Sequence, residues 1–135
     1  MTHEKPVVLV IRCYDYRLNE AIRCFFIKQG FGPNFDPLGL AGGCKSLISN
    51  PALLYSQVRI PIAKHKVKTI FLIAHEDCAA YCDVVDKEIE KDVLICDMKL
   101  VKDEINRFFP QVEVVLCFAD LVKDNETAEF VVSII

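Results

Sequence analysis

Val7-Val-Leu-Val-Ile-Arg-Cys-Tyr-Asp-Tyr-Arg17 reads as a buried strand running straight into a reactive edge, and the rest of the chain can be placed around it. Residues 7–11 are all β-branched or Leu, follow Pro6 and carry no charge, which suits a central strand covered on both faces. If the backbone stays extended past Arg12, the period of two puts Cys13, Asp15 and Arg17 on one side and Tyr14 and Tyr16 on the other. A thiol, a carboxylate and a guanidinium then share one face at the carboxyl end of a strand, where open parallel sheets bind ligands.

A second apolar run, Thr69-Ile-Phe-Leu-Ile-Ala74, ends in the same manner, in His75-Glu-Asp-Cys78. Imidazole and thiolate are strong zinc ligands, and residues three apart can converge on one metal at a turn or a first helical turn. Adding Cys13 from the neighbouring strand gives a Cys2His set with a fourth position free, the arrangement expected where Zn2+ does chemistry rather than hold a fold. Cys82 offers a rival. On a helix it would lie one turn beyond Cys78, giving His75, Cys78 and Cys82, but that set leaves Cys13 and Asp15 without a role.

At these residues the chain resembles the β-class carbonic anhydrases: Cys-x-Asp-x-Arg on one strand, His-x-x-Cys on a later one, and a small-residue Ala-Gly segment between them. The intervals between the motifs fit the family as well, and the resemblance runs from about Glu4 to the end. It implies zinc bound by Cys13, His75 and Cys78, with Asp15 and Arg17 as a catalytic dyad beside it. It also implies reversible hydration of CO2 to bicarbonate and sites built at subunit interfaces, hence a homodimer or a multiple of dimers. Hydrolysis of carbon disulfide or carbonyl sulfide, or a non-enzymatic zinc-bearing homo-oligomer, are the alternatives.

Departures from the family pattern point to reduced or altered activity. The chain begins only a few residues before its first strand, so the helical arm that β-class dimers exchange is expected to be missing. Gly39-Leu40 stand where Arg-Asn usually precedes Ala-Gly, and Ala79 follows Cys78 in place of the usual Gly. Glu4 holds the place, relative to Pro6, of a Gln that helps bind bicarbonate, and a carboxylate there would repel the anion.

With 135 residues, 53% of them hydrophobic, the chain is expected to form one domain with a sizeable core. A formal charge of -3 provides no electrostatic footprint for nucleic acid or an anionic membrane. No apolar run approaches the ~20 residues that span a bilayer, and Met-Thr-His-Glu-Lys-Pro lacks the apolar core of a signal peptide, so a cytoplasmic protein is expected. Seven cysteines, an odd number without an export signal, read as reduced thiols, and Cys24, Cys96 and Cys117 as small buried hydrophobes.

The remaining pattern alternates strand and helix. Leu18, Ile22, Phe25 and Phe26 fall at helical spacing over residues 18–29, with Gly30 placed to end the helix. A short strand over residues 35–40 leads into Ala41-Gly-Gly43. Asn50-Pro51 starts a helix that Pro61 should kink or end. The charges at Asp83, Asp86, Lys87, Glu88, Glu90, Lys91 and Asp92 read as solvated surface. Leu94, Met98, Val101, Ile105 and Phe108 then form the core stripe of a long helix that Pro110 terminates. Residues 112–118 make a fourth apolar strand and residues 130–135 a candidate fifth at an edge, joined to it as a hairpin across the polar residues 123–127. The class is therefore α/β: a mainly parallel sheet with right-handed crossovers and helices on both faces.

Gly39-Leu-Ala-Gly-Gly-Cys-Lys-Ser46 nearly matches a phosphate-binding loop, but Cys44 stands where the second Gly should admit a phosphate. The better reading gives Gly42 and Gly43 to close backbone approach at the zinc pocket, with the next helix N-terminus facing a small anionic substrate.

Overall fold

The structure, a computed structural model, describes residues 7–123 and 128–135. Its frame is a five-stranded sheet in the order β2-β1-β3-β4-β5, built from β1 (Val8–Cys13), β2 (Asp36–Leu40), β3 (Thr69–His75), β4 (Glu113–Lys123) and β5 (Glu129–Ile134). The pairs β1/β2, β1/β3 and β3/β4 are parallel, and β5 returns antiparallel along β4 at the sheet edge, as its hairpin pattern predicts.

Every residue of β1 is buried, and so is β3 from Ile70 to His75, because each lies between two strands and beneath helices. Both are uninterrupted apolar runs for that reason. From β1 the chain steps outward through α1 (Asn19–Lys28) to β2, then reverses through α3 (Pro51–His65) to β3 and α4 (Lys87–Phe108) to β4. Right-handed crossovers in opposite directions set α1 on one face and α3 and α4 on the other. On the α1 face Phe26 meets Phe71 edge-on with centroids 4.9 Å apart. On the other, α4 buries Leu94, Met98, Val101 and Ile105. The reversal of strand order falls between β1 and β3, so their carboxyl ends flank the crevice where open α/β sheets hold ligands.

Local signals explain the element ends. Asn50 caps α3 by accepting the Leu53 N–H at 3.1 Å, with Pro51 at the first turn. Asp86 caps α4 through the N–H groups of Glu88 and Ile89. Gly30 takes φ +87 at the end of α1.

Four sequence expectations need correction. Pro61 does not end α3, which continues to His65 and closes on Lys66 in the left-handed region. Of the charged residues expected at the solvated surface between Asp83 and Asp92, Glu90 departs: it is buried in the first turns of α4, while the other six are exposed. Cys24 and Cys96 are exposed rather than buried, because each sits on the outer side of its helix. β4 extends to Lys123, beyond the 118 its apolar run suggested, since its pairing with β5 supplies hydrogen-bond partners past the apolar stretch.

Candidate metal centre

β1 and β3 are adjacent, and Arg12 is level with Ile73, so Cys13 and His75 emerge side by side at the carboxyl edge. Cys13, His75 and Cys78 are all buried, with their ligating atoms within 4.8 Å of one another, and the two sulfurs are 4.0 Å apart. Among the described residues this is the one such group of three. Cys82 is not in it: it lies exposed at the end of the short 3-10 turn Ala79–Tyr81.

The imidazole is oriented by its own backbone. His75 Nδ1 lies 2.7 Å from the Glu76 carbonyl, which can only accept, so Nδ1 donates and the neutral ring keeps its lone pair on Nε2. That Nε2 is buried without a hydrogen-bond partner among the described residues. An orphaned buried acceptor is costly unless something binds it. The ring is held from the side by Phe130 of β5, edge to face at 5.5 Å.

The contact between the two sulfurs shifts them in opposite directions. The hydrogen bond from Cys78 pulls the Cys13 thiol down to about 4 against the opposing effect of burial, helped by the N–H groups of Asp15 and Gly42, and the same contact with burial pushes Cys78 up. Two buried sulfurs in contact, with a partnerless imidazole nitrogen beside them, form a donor set that fits zinc; the residues present match the group.

Asp15 and Arg17 reach the centre by a route other than strand extension. β1 stops at Cys13, and Asp15 caps the 3-10 turn Tyr16–Leu18, accepting the Arg17 N–H at 3.0 Å. The same turn brings the guanidinium back onto the carboxylate: Nε lies 3.1 Å from both oxygens and Nη2 2.8 Å from Oδ2. This contact, ahead of any other, holds the Asp15 carboxyl below its usual range. A depressed carboxyl keeps its partner at neutral pH and loses it only as pH falls through the lowered value, so the dyad is intact across the neutral range. Arg17 also reaches Asp77, at 3.3 Å to the carboxylate and 3.2 Å to the carbonyl, and lies 5.4 Å above the Phe130 ring.

Gly42 and Gly43 stand where close approach was expected, with φ +70 and +59. A Cβ on Gly43 would come within 3.1 Å of the Arg12 carbonyl carbon and the Cys13 nitrogen, and one on Gly42 within 2.8 Å of Ala80. The Gly43 N–H is engaged by the Leu40 carbonyl at 3.0 Å, and the following α2 (Lys45–Ile48) has only four residues, so the loop serves the end of β1 more than it presents a helix terminus to an anion. Gly43→Ala should lower stability by about 1–3 kcal/mol, from the left-handed backbone and the backbone clash together. A thermal midpoint unchanged in Gly43→Ala would show that this close approach is relaxed in solution. Glu4 lies outside the described residues.

Sequence reasoning missed Arg12, Asp77 and Glu90. Arg12, buried within an apolar strand, turns its side chain forward and donates to the carbonyls of Cys13 and Asp15, both at 2.7 Å, bracing the loop that carries the dyad. Its charge inside an otherwise apolar run was the available signal. Asp77 adopts φ +60, and its N–H donates to Glu90 Oε1 at 3.0 Å. Asp is among the few residues that enter this region readily, so its place between His75 and Cys78 carried information.

A family model described as "Putative carbonic anhydrase" matches residues 3–131, nearly the whole chain. The chain belongs to this carbonic anhydrase family. An uncharacterized protein of Rickettsia conorii is 26% identical over 124 residues, 84% of this chain and 67% of its own length. Among solved structures, one of two tetrameric β-carbonic anhydrases of the ascomycete Sordaria macrospora superposes with a TM-score of 0.56 at 17% identity, covering 87% of this chain and 77% of that one. The β-carbonic anhydrase CafA of Aspergillus fumigatus gives 0.50 at 14% identity over 93% and 78%. The architecture is thus that of the β-carbonic anhydrases.

Proposed function

We propose that this carbonic anhydrase family member is a zinc enzyme that reversibly hydrates CO2 to bicarbonate. The observation that carries the reading is the buried, partnerless His75 Nε2 grouped with the Cys13 and Cys78 sulfurs beside the Asp15–Arg17 dyad. Cys13, His75 and Cys78 would hold the zinc, which when bound supplies Lewis acidity and brings the pKa of water toward neutrality.

The chain's own residues then divide the work. Arg17 locks both oxygens of Asp15, so the carboxylate presents a fixed acceptor to the attacking water and orients its lone pair toward carbon. Phe130 packs against both His75 and Arg17, keeping ligand and dyad in register and bulk water off the ring. Gly42 and Gly43 let their loop close on Cys13. A stopped-flow CO2 hydration assay on zinc-loaded protein tests the reading, with sulfide release from carbon disulfide and carbonyl sulfide followed in parallel. Turnover of CO2 well above the uncatalysed rate is the expected result; zinc-loaded protein that turns over neither CO2 nor the sulfur substrates would leave the non-enzymatic alternative.

The working form is a homodimer or a multiple of dimers. Tyr14 and Tyr16, 69% and 80% exposed, flank the dyad on its solvent side, and large aromatics left bare beside a site suit burial by a second copy. A strictly monomeric mass in light scattering at micromolar concentration would refute the assembly and weaken the enzyme reading. All seven cysteines are free, and a site built from thiolates suits a reducing compartment such as the cytoplasm. No helix among the described residues is long and apolar enough to cross a membrane.

A further inference from the structure

The first turns of α4 contain an anomaly that neither packing nor helix capping explains. Glu90 lies on the same helical stripe as Leu94, Met98, Val101 and Ile105, at the spacing of a core position, and is only 7% exposed. A carboxylate there costs desolvation that a leucine would not, and capping is already provided by Asp86. What the carboxylate does have is a backbone donor: Oε1 accepts the Asp77 N–H at 3.0 Å.

Asp77 sits between His75 and Cys78, and its left-handed backbone is what turns the chain so that Cys78 comes back toward His75. It also carries two contacts to Arg17, through its carboxylate and its carbonyl. One residue therefore joins the two halves of the centre, and α4 grips it from behind. The same end of α4 touches the loop again one residue away through an ion pair at the surface, where Lys87 Nζ meets Glu76 Oε2 at 3.1 Å.

We propose that Glu90 is a positioning residue: it clamps the Asp77 N–H and thereby holds the left-handed turn that presents Cys78 to the metal and Arg17 to Asp15. The role rests on the zinc reading above. The carboxylate touches neither metal nor substrate, and its effect passes through Asp77.

The test uses the full chain with three variants. Glu90→Leu removes the acceptor but fills the apolar stripe, so a residue of merely structural importance would lose nothing and could gain stability. A positioning residue would instead lose zinc affinity, by about tenfold or more in competition with a chromophoric chelator, as is typical when a group orienting a ligand is removed. The thermal midpoint of the metal-free protein would be unchanged or raised, and the cobalt(II) absorption spectrum altered. Glu90→Gln keeps an acceptor oxygen and should stay near native. Adding Asp77→Gly to Glu90→Leu should recover most of the affinity, because glycine takes positive φ without a brace and keeps both backbone groups.

Native zinc affinity and an unaltered cobalt spectrum in Glu90→Leu would overturn the proposal; Glu90→Ala carries the same comparison should the leucine variant not fold. Hydrogen exchange at the Asp77 amide in metal-free protein separates this idea from the zinc reading. Exchange that quickens in Glu90→Leu supports the clamp even if the native chain proves to bind no zinc. An amide equally unprotected in native and variant chains sinks it whatever the metal does.

Discussion

Cys13→Ser, Cys78→Ser and His75→Ala will each reduce zinc from about one per chain to a trace after dialysis, while Cys82→Ser retains it. In the proposed centre Cys13, His75 and Cys78 together hold the ion, and removing one leaves a buried pair that cannot compete with water for it. The loss should reach at least a thousandfold in affinity, an order of magnitude suggested by the 10–16 kcal/mol that full thiolate and imidazole sets contribute. Elemental analysis of the purified variants decides it. Zinc lost in Cys82→Ser and kept in Cys13→Ser would instead favour the His75, Cys78, Cys82 set, against the exposure of Cys82.

Arg17→Ala should have the opposite profile, with zinc kept and turnover reduced by a factor on the order of 100 to 1000, the range seen when one group stabilising a reacting oxygen is removed. Without its fork, Asp15 loses every side-chain bond it makes in the structure and keeps only the cap to the residue 17 N–H. Two residues from Cys13, the freed carboxylate can then turn onto the metal and close the open position. Arg17→Lys should recover little, because an ammonium cannot bond both oxygens in plane. Zinc content and CO2 hydration measured on the same preparation test both halves; full activity in Arg17→Ala would rule the dyad out.

The strands and three of the helices were legible because their hydrophobic runs are unbroken and their ends are marked, as at Asn50-Pro51 and Gly30. Cys13, His75 and Cys78 were legible because each stands at or just past the end of an apolar run, where side chains of neighbouring parallel strands converge. Asp15 and Arg17 were placed on the correct side for an incomplete reason: a 3-10 turn, not strand alternation, folds the guanidinium onto the carboxylate. Periodicity cannot report such a turn, because it depends on Asp15 capping its own backbone. Glu90 was lost to composition. Surrounded by charge, it reads as surface, and only its phase with Leu94 and Met98 separates it from Glu88.

The sheet order also sets a clock. Cys13 ends β1 and Cys78 lies just past the neighbouring β3, 65 residues apart in the chain, with the edge strand β2 and three helices made between them. At ribosomal speeds of about 5–20 residues per second, Cys13 waits roughly 3–13 s for its co-ligand to be synthesised. During that interval it is a thiol in an unfinished sheet, open to oxidants and to foreign metals. The nascent chain is therefore most vulnerable before β3 pairs with β1, and supply of reductant during translation, more than of zinc, should govern how much of it matures correctly.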